Sequence, residues 1–276
     1  MDYNFIFRIT VLLVSISCLV SFSEWYVLLN NIKVKNAFAW EVYSTQNKYY
    51  QKRFFLKFIT PFLSNKVNYL LYGGMISSIL LIIGTFITSY SYFLLPLLFV
   101  LLLLKQIQTP FGLEGSDQMQ LIVVGSLSLV LLDIEKGAFL AFVFISIQLI
   151  FSYFFAGLSK IKSQVWRNGD AITLTLKTNS YGNKAIFEFL KNKTKLSKII
   201  CWFIISWEIL FILSPFLPTN LFYLMVFLAF LFHLSNALIM RLNGFFLTWI
   251  STFPSIVFFH LCLVGEVETF ANIVYK

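Results

Sequence analysis

Residues 67–105 read VNYLLYGGMISSILLIIGTFITSYSYFLLPLLFVLLLLK, and from Val67 to Leu104 there is no charged side chain. A spanning helix needs about 20 apolar residues. This stretch holds two apolar runs, about 67–89 and 92–105, hinged by Ser89-Tyr90-Ser91-Tyr92. Similar runs cover about 5–23, 119–133, 137–158, 197–214, 219–240 and 243–263. The pattern predicts an all-α polytopic transmembrane helical bundle of about eight spans, or seven if 119–133 is re-entrant. The 276 residues are 59% hydrophobic and 12% charged, against about 45–50% and about 25% in soluble domains. An ordinary soluble enzyme and a disordered chain are both excluded.

The first run lacks a basic leading region and a small-x-small cleavage site, which predicts a retained helix rather than a removed signal peptide. Two mixed segments separate the runs, 24–66 and 159–195. Their basic and aromatic content predicts stretches lying in the membrane interface, with a short basic helix at 184–195. No internal repeat or low-complexity linker divides the chain, so 1–276 reads as one domain.

Charge gives an orientation. With eight spans, one side collects 18 of the 21 Lys and Arg, leaving Arg8, Lys136 and Lys276 for the other. The positive-inside bias then makes the basic side cytoplasmic and puts both termini outside. The net charge of +9 thereby points to membrane lipid as partner and not to nucleic acid. Richness in Lys, Ile, Asn and Phe fits an AT-rich bacterial genome, hence a bacterial cell membrane. Cys18, Cys201 and Cys262 lie inside apolar runs without C-x-x-C spacing, as small packed residues do.

Ionisable groups at membrane depth are costly and mark functional positions. Glu208 and His233 sit in the middle of runs, Lys160 closes the fifth run and Asp117 opens the fourth. Each has a plainer explanation. Lys160 suits a helix C-terminus by dipole and snorkelling, and Asp117 or Ser116 suits an N-cap. Glu208 and His233 form either a proton relay or a hydrogen bond joining two helices. His260, near the end of the last run, reads as interfacial. There is no H-E-x-x-H, no G-x-S-x-G and no phosphate-binding glycine loop. With two histidines, a His-rich metal site is excluded and no metal is expected.

Taken together, these segments resemble the horizontally transferred transmembrane domain (HTTM) family, which contains the vitamin K-dependent gamma-carboxylases. The strongest stretch is Tyr153-Phe154-Phe155-Ala156-Gly157-Leu158-Ser159-Lys160, followed by Trp166 and Gly169. It is similar to a family pattern of Tyr, Ala-Gly and a helix-ending Lys, then Trp and Gly in the next loop. Gly115-Ser116-Asp117-Gln118 before a run ending at Asp133 looks like the family's fourth segment. Gln118 stands where the carboxylases have a histidine. Glu208, His233 and Gly244-Phe245-Phe246 resemble the later Glu, His and Gly-Phe positions, and Phe7-Arg8-Ile9 the opening helix.

The resemblance implies catalytic roles for Lys160, Glu208 and His233, and binding roles for Asp117, Gln118, Tyr153 and Trp166. In the carboxylase branch the lysine matching Lys160 is the base that deprotonates reduced vitamin K, so a reduced quinone is the implied cofactor. A lysine is a poor base at neutral pH unless desolvation lowers its pKa. The length of this chain, without an extramembrane substrate domain, is closer to the bacterial sporulation-delaying protein B branch, whose members serve maturation of a secreted antimicrobial peptide. The expectation is a membrane protein assisting maturation or export of a secreted peptide. The alternatives are a quinone-dependent oxidoreductase or carboxylase using Lys160, and a non-catalytic immunity or scaffold protein.

Overall fold

The computed structural model describes residues 3–31, 40, 44, 54–64, 66–87, 92–109 and 114–266. The described residues form α-helices and short 3-10 turns: α1 (Tyr3–Asn30), α2 (Phe54–Leu63), α3 (Val67–Ile87), α4 (Leu94–Gln108), α5 (Gly115–Leu127), α6 (Ile134–Lys162), α7 (Gln164–Asn168), α8 (Ala171–Lys177), α9 (Lys184–Leu190), α10 (Thr194–Leu210), α11 (Thr219–Met240), α12 (Asn243–Ile250) and α13 (Phe253–Leu263).

Six helical segments are long and apolar enough to cross a membrane: α1, α3, α6, α10 with its 3-10 extension, α11, and α12–α13 together. The protein is a polytopic integral membrane protein. The other two predicted spans are shorter. One is the 15 residues of α4, and the other is α5 continued by a 3-10 turn to Leu131. The eight expected spans therefore resolve into six of full length and two short helices. Most of 24–53, expected at the interface, lies outside the described residues, although α1 itself runs on to Asn30.

Local chemistry sets the breaks. Pro215 and Pro218 convert the end of α10 into a 3-10 turn, Phe211–Phe216, and restart the chain at α11, because proline ends a helical hydrogen-bond ladder. The last apolar run breaks before Pro254. There the hydroxyls of Ser251 and Thr252 donate to the carbonyls of Thr248 and Trp249, both at 2.6 Å, satisfying groups the break exposes.

The chain divides into two compact units, Met1–Ala141 with Leu247–Pro254, and Phe142–Phe246 with Ser255–Lys276. In the first, α1 packs on α3, α3 on α4 and α4 on α5. Gly74 lets α3 approach α1, since a Cβ there would lie 2.5 Å from the Phe22 ring. A polar seam follows one face of α1. Ser17 bonds Thr248 at 2.7 Å and accepts from Gln120 Nε2 at 2.8 Å, Ser21 accepts from the Lys105 ammonium, and Trp25 Nε1 donates to Gln108. In the second unit α7, α8 and α9 pack on α10. The buried residues of α11, Phe222, Ala229, His233 and Ala237, keep helical spacing and form one stripe. Phe227, Leu231 and Leu238 are exposed outside it, as lipid-facing side chains are.

Candidate functional site

Tyr153, Gly157 and Lys160 are spaced i, i+4 and i+7 on α6, so they share a face. That face meets α10. A Cβ on Gly157 would lie 2.7 Å from Ile209 Cγ1, 3.0 Å from Ile209 N and 3.1 Å from Glu208 Cβ. Only glycine permits this approach, and the approach brings Lys160 to Glu208. The Lys160 ammonium donates to both carboxylate oxygens, at 2.8 Å to Oε1 and 2.7 Å to Oε2. The Lys160 side chain is 18% exposed and that of Glu208 2%.

A third residue covers the lysine. The Trp166 ring centroid lies 5.2 Å from Lys160 Nζ, within cation–π range. Trp166 is held there by the turn of α7. Gly169 ends that turn in the left-handed region at φ 93, and Asp170 N–H donates to the Val165 carbonyl at 3.0 Å, a Schellman-type close. The turn is clamped to α10. Ser197 Oγ donates to the Gly169 carbonyl at 2.5 Å, Trp202 Nε1 donates to the Arg167 carbonyl at 3.2 Å, and a Cβ on Gly169 would lie 2.5 Å from Lys198 Cα.

Seven residues before Lys160, about 10 Å along the helix axis, the Tyr153 hydroxyl bonds His233 Nε2 at 2.6 Å. Both residues are buried. Aromatic rings frame the pair, with Phe211 at 4.3 Å and Trp207 at 5.1 Å from the Tyr153 ring, and Phe245 at 5.2 Å from His233. The second unit thus combines an ion pair, Lys160–Glu208, and a neutral hydrogen-bonded pair, Tyr153–His233, in an apolar setting. The first can exchange a charged partner. The second ties α6 to α11 through a buried hydrogen bond.

The structure gathers Lys160, Glu208, His233, Tyr153 and Trp166 in this unit. Their pairing differs from the sequence reading. In place of a Glu208–His233 bond, each of the two is bonded to a residue of α6. Lys160 is not spread toward the interface but held by a carboxylate. Asp117 and Gln118 belong to the first unit. There the N-cap of α5 is Glu114 and not Asp117 or Ser116; Asp117 is the third residue of the helix, where its Oδ2 accepts from Glu114 N–H at 3.3 Å and its Oδ1 lies 3.4 Å from the Lys105 ammonium. Gln118 is exposed, while Gln120, two residues on, is buried and bonded to Ser17.

Three residues escaped the sequence reading. Lys105, which ends the run 92–105, is only 5% exposed; a lysine ending an apolar run looks the same whether it snorkels or pairs. His260, read as interfacial, is fully buried, bonded through Nδ1 to the Pro215 carbonyl at 2.9 Å and stacked on Phe222 at 4.0 Å. The proline break next to α10 was the available signal, since it leaves carbonyls needing donors. Trp207 is buried against Tyr153 and Phe232, and its place beside Glu208 was the only hint. Among the described residues no group of three His, Cys, Asp or Glu is placed to hold a metal ion.

No protein-family model matches the chain, and neither a curated protein nor a solved structure is detectably similar to it.

Proposed function

We propose that this is an HTTM-like membrane protein that assists maturation or export of a secreted peptide, with Lys160–Glu208 as its working centre and Tyr153–His233 beside it. The observation that carries the reading is the closed constellation itself. Lysine, glutamate and tryptophan from three helices meet at one ammonium, and Gly157 and Gly169 make the approach sterically feasible.

A buried ion pair is a weak source of stability but a costly one to leave half-made. A ligand bearing its own carboxylate or ammonium replaces one partner without stranding the other. A peptide terminus is such a ligand. The test uses cells that make the protein and its peptide, with the secreted product measured by mass spectrometry at matched levels of the membrane protein. Lys160→Ala, Glu208→Gln and His233→Gln are expected to reduce the mature product at least tenfold. Normal maturation in all three refutes the site.

A second reading is a quinone-dependent oxidoreductase or carboxylase with Lys160 as base. Its supporting observation is the frame of Trp207 and Phe211 around Tyr153, with Phe232 against Trp207, flat apolar surfaces against which a quinone ring stacks. In that chemistry Lys160 must first part with a proton it holds against Glu208. Membranes containing the protein then consume reduced quinone with oxygen. Lys160→Ala abolishes this and Lys160→Arg does not restore it, because arginine stays protonated. No oxygen-dependent quinol consumption by the wild type removes this reading.

A further inference from the structure

From Lys160 to Lys198 the second unit carries nine Lys and Arg against two acids, Asp170 and Glu188. Lys160 is engaged by Glu208, and the other eight basic residues are exposed. Glu188 is already paired with Lys191, so the excess of positive charge is large. The same stretch exposes apolar side chains, Leu174 at 52% and Phe189 at 54%.

These two features conflict in water and in hydrocarbon alike. An aqueous loop gains by burying Phe189 and Leu174, and hydrocarbon does not solvate eight cations. The headgroup layer accommodates both, with rings at the acyl boundary and cations among phosphates. The arrangement is also a built one. α7, α8 and α9 each pack on α10, Arg167 is tied to α10 through Trp202, and Lys193 lies 3.4 Å from the Phe189 ring centroid.

We propose that α7–α9 and the first turn of α10 form a docking surface for anionic phospholipid headgroups, their phosphates held by Arg167, Lys195 and Lys198. Charge complementarity selects this occupant, because the surface offers cations almost without competing carboxylates. The surface adjoins the Lys160 centre through Trp166 of α7, but the proposal does not depend on the peptide reading.

The test reconstitutes the full chain in nanodiscs of equimolar phosphatidylcholine and phosphatidylglycerol, and counts the lipids retained on release by native mass spectrometry. Wild type is expected to retain phosphatidylglycerol in excess, and 0.5 M salt to reduce that excess. Each surface cation contributes about fivefold, or about 1 kcal/mol. Arg167→Gln/Lys195→Gln/Lys198→Gln together should therefore lower the ratio at least tenfold, with Lys136→Gln as an unchanged control. Equal retention of the two lipids by wild type, or an unchanged ratio in the triple variant, overturns the proposal. Capture of poly-glutamate without phosphatidylglycerol preference also overturns it, in favour of an acidic protein partner.

Discussion

Gly157→Ala adds one methyl group at the point where α6 and α10 come closest beside Lys160 and Glu208. The new Cβ would lie 2.7 Å from Ile209 Cγ1 and 3.0 Å from Ile209 N, where about 3.5–4.0 Å is comfortable. The Ile209 side chain can rotate away, but its backbone nitrogen cannot. Relief requires the two helices to part by about 0.5 Å, which carries the 2.7 and 2.8 Å bonds of Lys160 beyond the about 2.7–2.9 Å of a strong charge-assisted hydrogen bond. Overpacking of this kind costs about 1–3 kcal/mol, offset by up to about 1 kcal/mol of helix propensity on replacing glycine. The net is a destabilisation of about 1–2 kcal/mol. Gly73→Ala is the matched control. Its Cβ meets only the Leu101 methyls at 3.6 and 3.7 Å, an ordinary contact, so propensity alone acts and the variant gains up to about 1 kcal/mol. Equilibrium unfolding by SDS titration in mixed micelles reads both. The prediction is opposite signs, separated by about 2 kcal/mol, with peptide maturation lost only in Gly157→Ala. A Gly157→Ala protein as stable as Gly73→Ala refutes the close approach and the geometry built on it.

Further outcomes follow from the same contacts. Tyr153→Phe removes the hydroxyl bonded to His233 and is expected to cost about 1–3 kcal/mol, read by the same titration; an unchanged midpoint contradicts the hydrogen bond. Gly169→Ala forces a Cβ into Lys198 at a φ of 93, and limited proteolysis is expected to cut the α7–α8 connection faster than in wild type. Lys105→Met leaves Asp117 without its ammonium at a site only one-quarter exposed. It is expected to destabilise by about 2 kcal/mol, less than the about 3–5 kcal/mol of a fully buried pair because water still reaches the carboxylate, and Lys105→Met/Asp117→Asn should recover most of the loss.

The spans were readable because hydropathy is a local property, and Lys160, Glu208 and His233 were readable because a charge or imidazole stands out in an apolar run. Their partners were not. Whether Glu208 meets His233 or Lys160 depends on the rotation of α10 against α6, which the tertiary packing at Gly157 sets. The motif containing Gly157 was visible, but its role needed the distance to Ile209. Gln118 and Gln120 lie two residues apart, and no local signal says which one turns inward. Lys105 and His260 were misread for a related reason. Both stand near the end of an apolar run, where solvent exposure is the default expectation, and each is claimed by a neighbour remote in sequence, Ser21 for Lys105 and the Pro215 carbonyl for His260. The shortness of α4 and α5 was legible in the runs 92–105 and 119–133, although both were counted among the eight spans.

The central claim is that Lys160–Glu208 is a working pair and not only a structural one. Exchanging the charges with Lys160→Glu/Glu208→Lys tests it directly, measured as mature peptide secreted at equal membrane levels of protein. Each single exchange is expected to be unstable, and the double exchange to regain SDS resistance yet secrete no mature peptide, because the ammonium then projects from α10 and no longer faces Trp166 in the same way. A double exchange that restores both stability and secretion would show the pair to be a structural clamp.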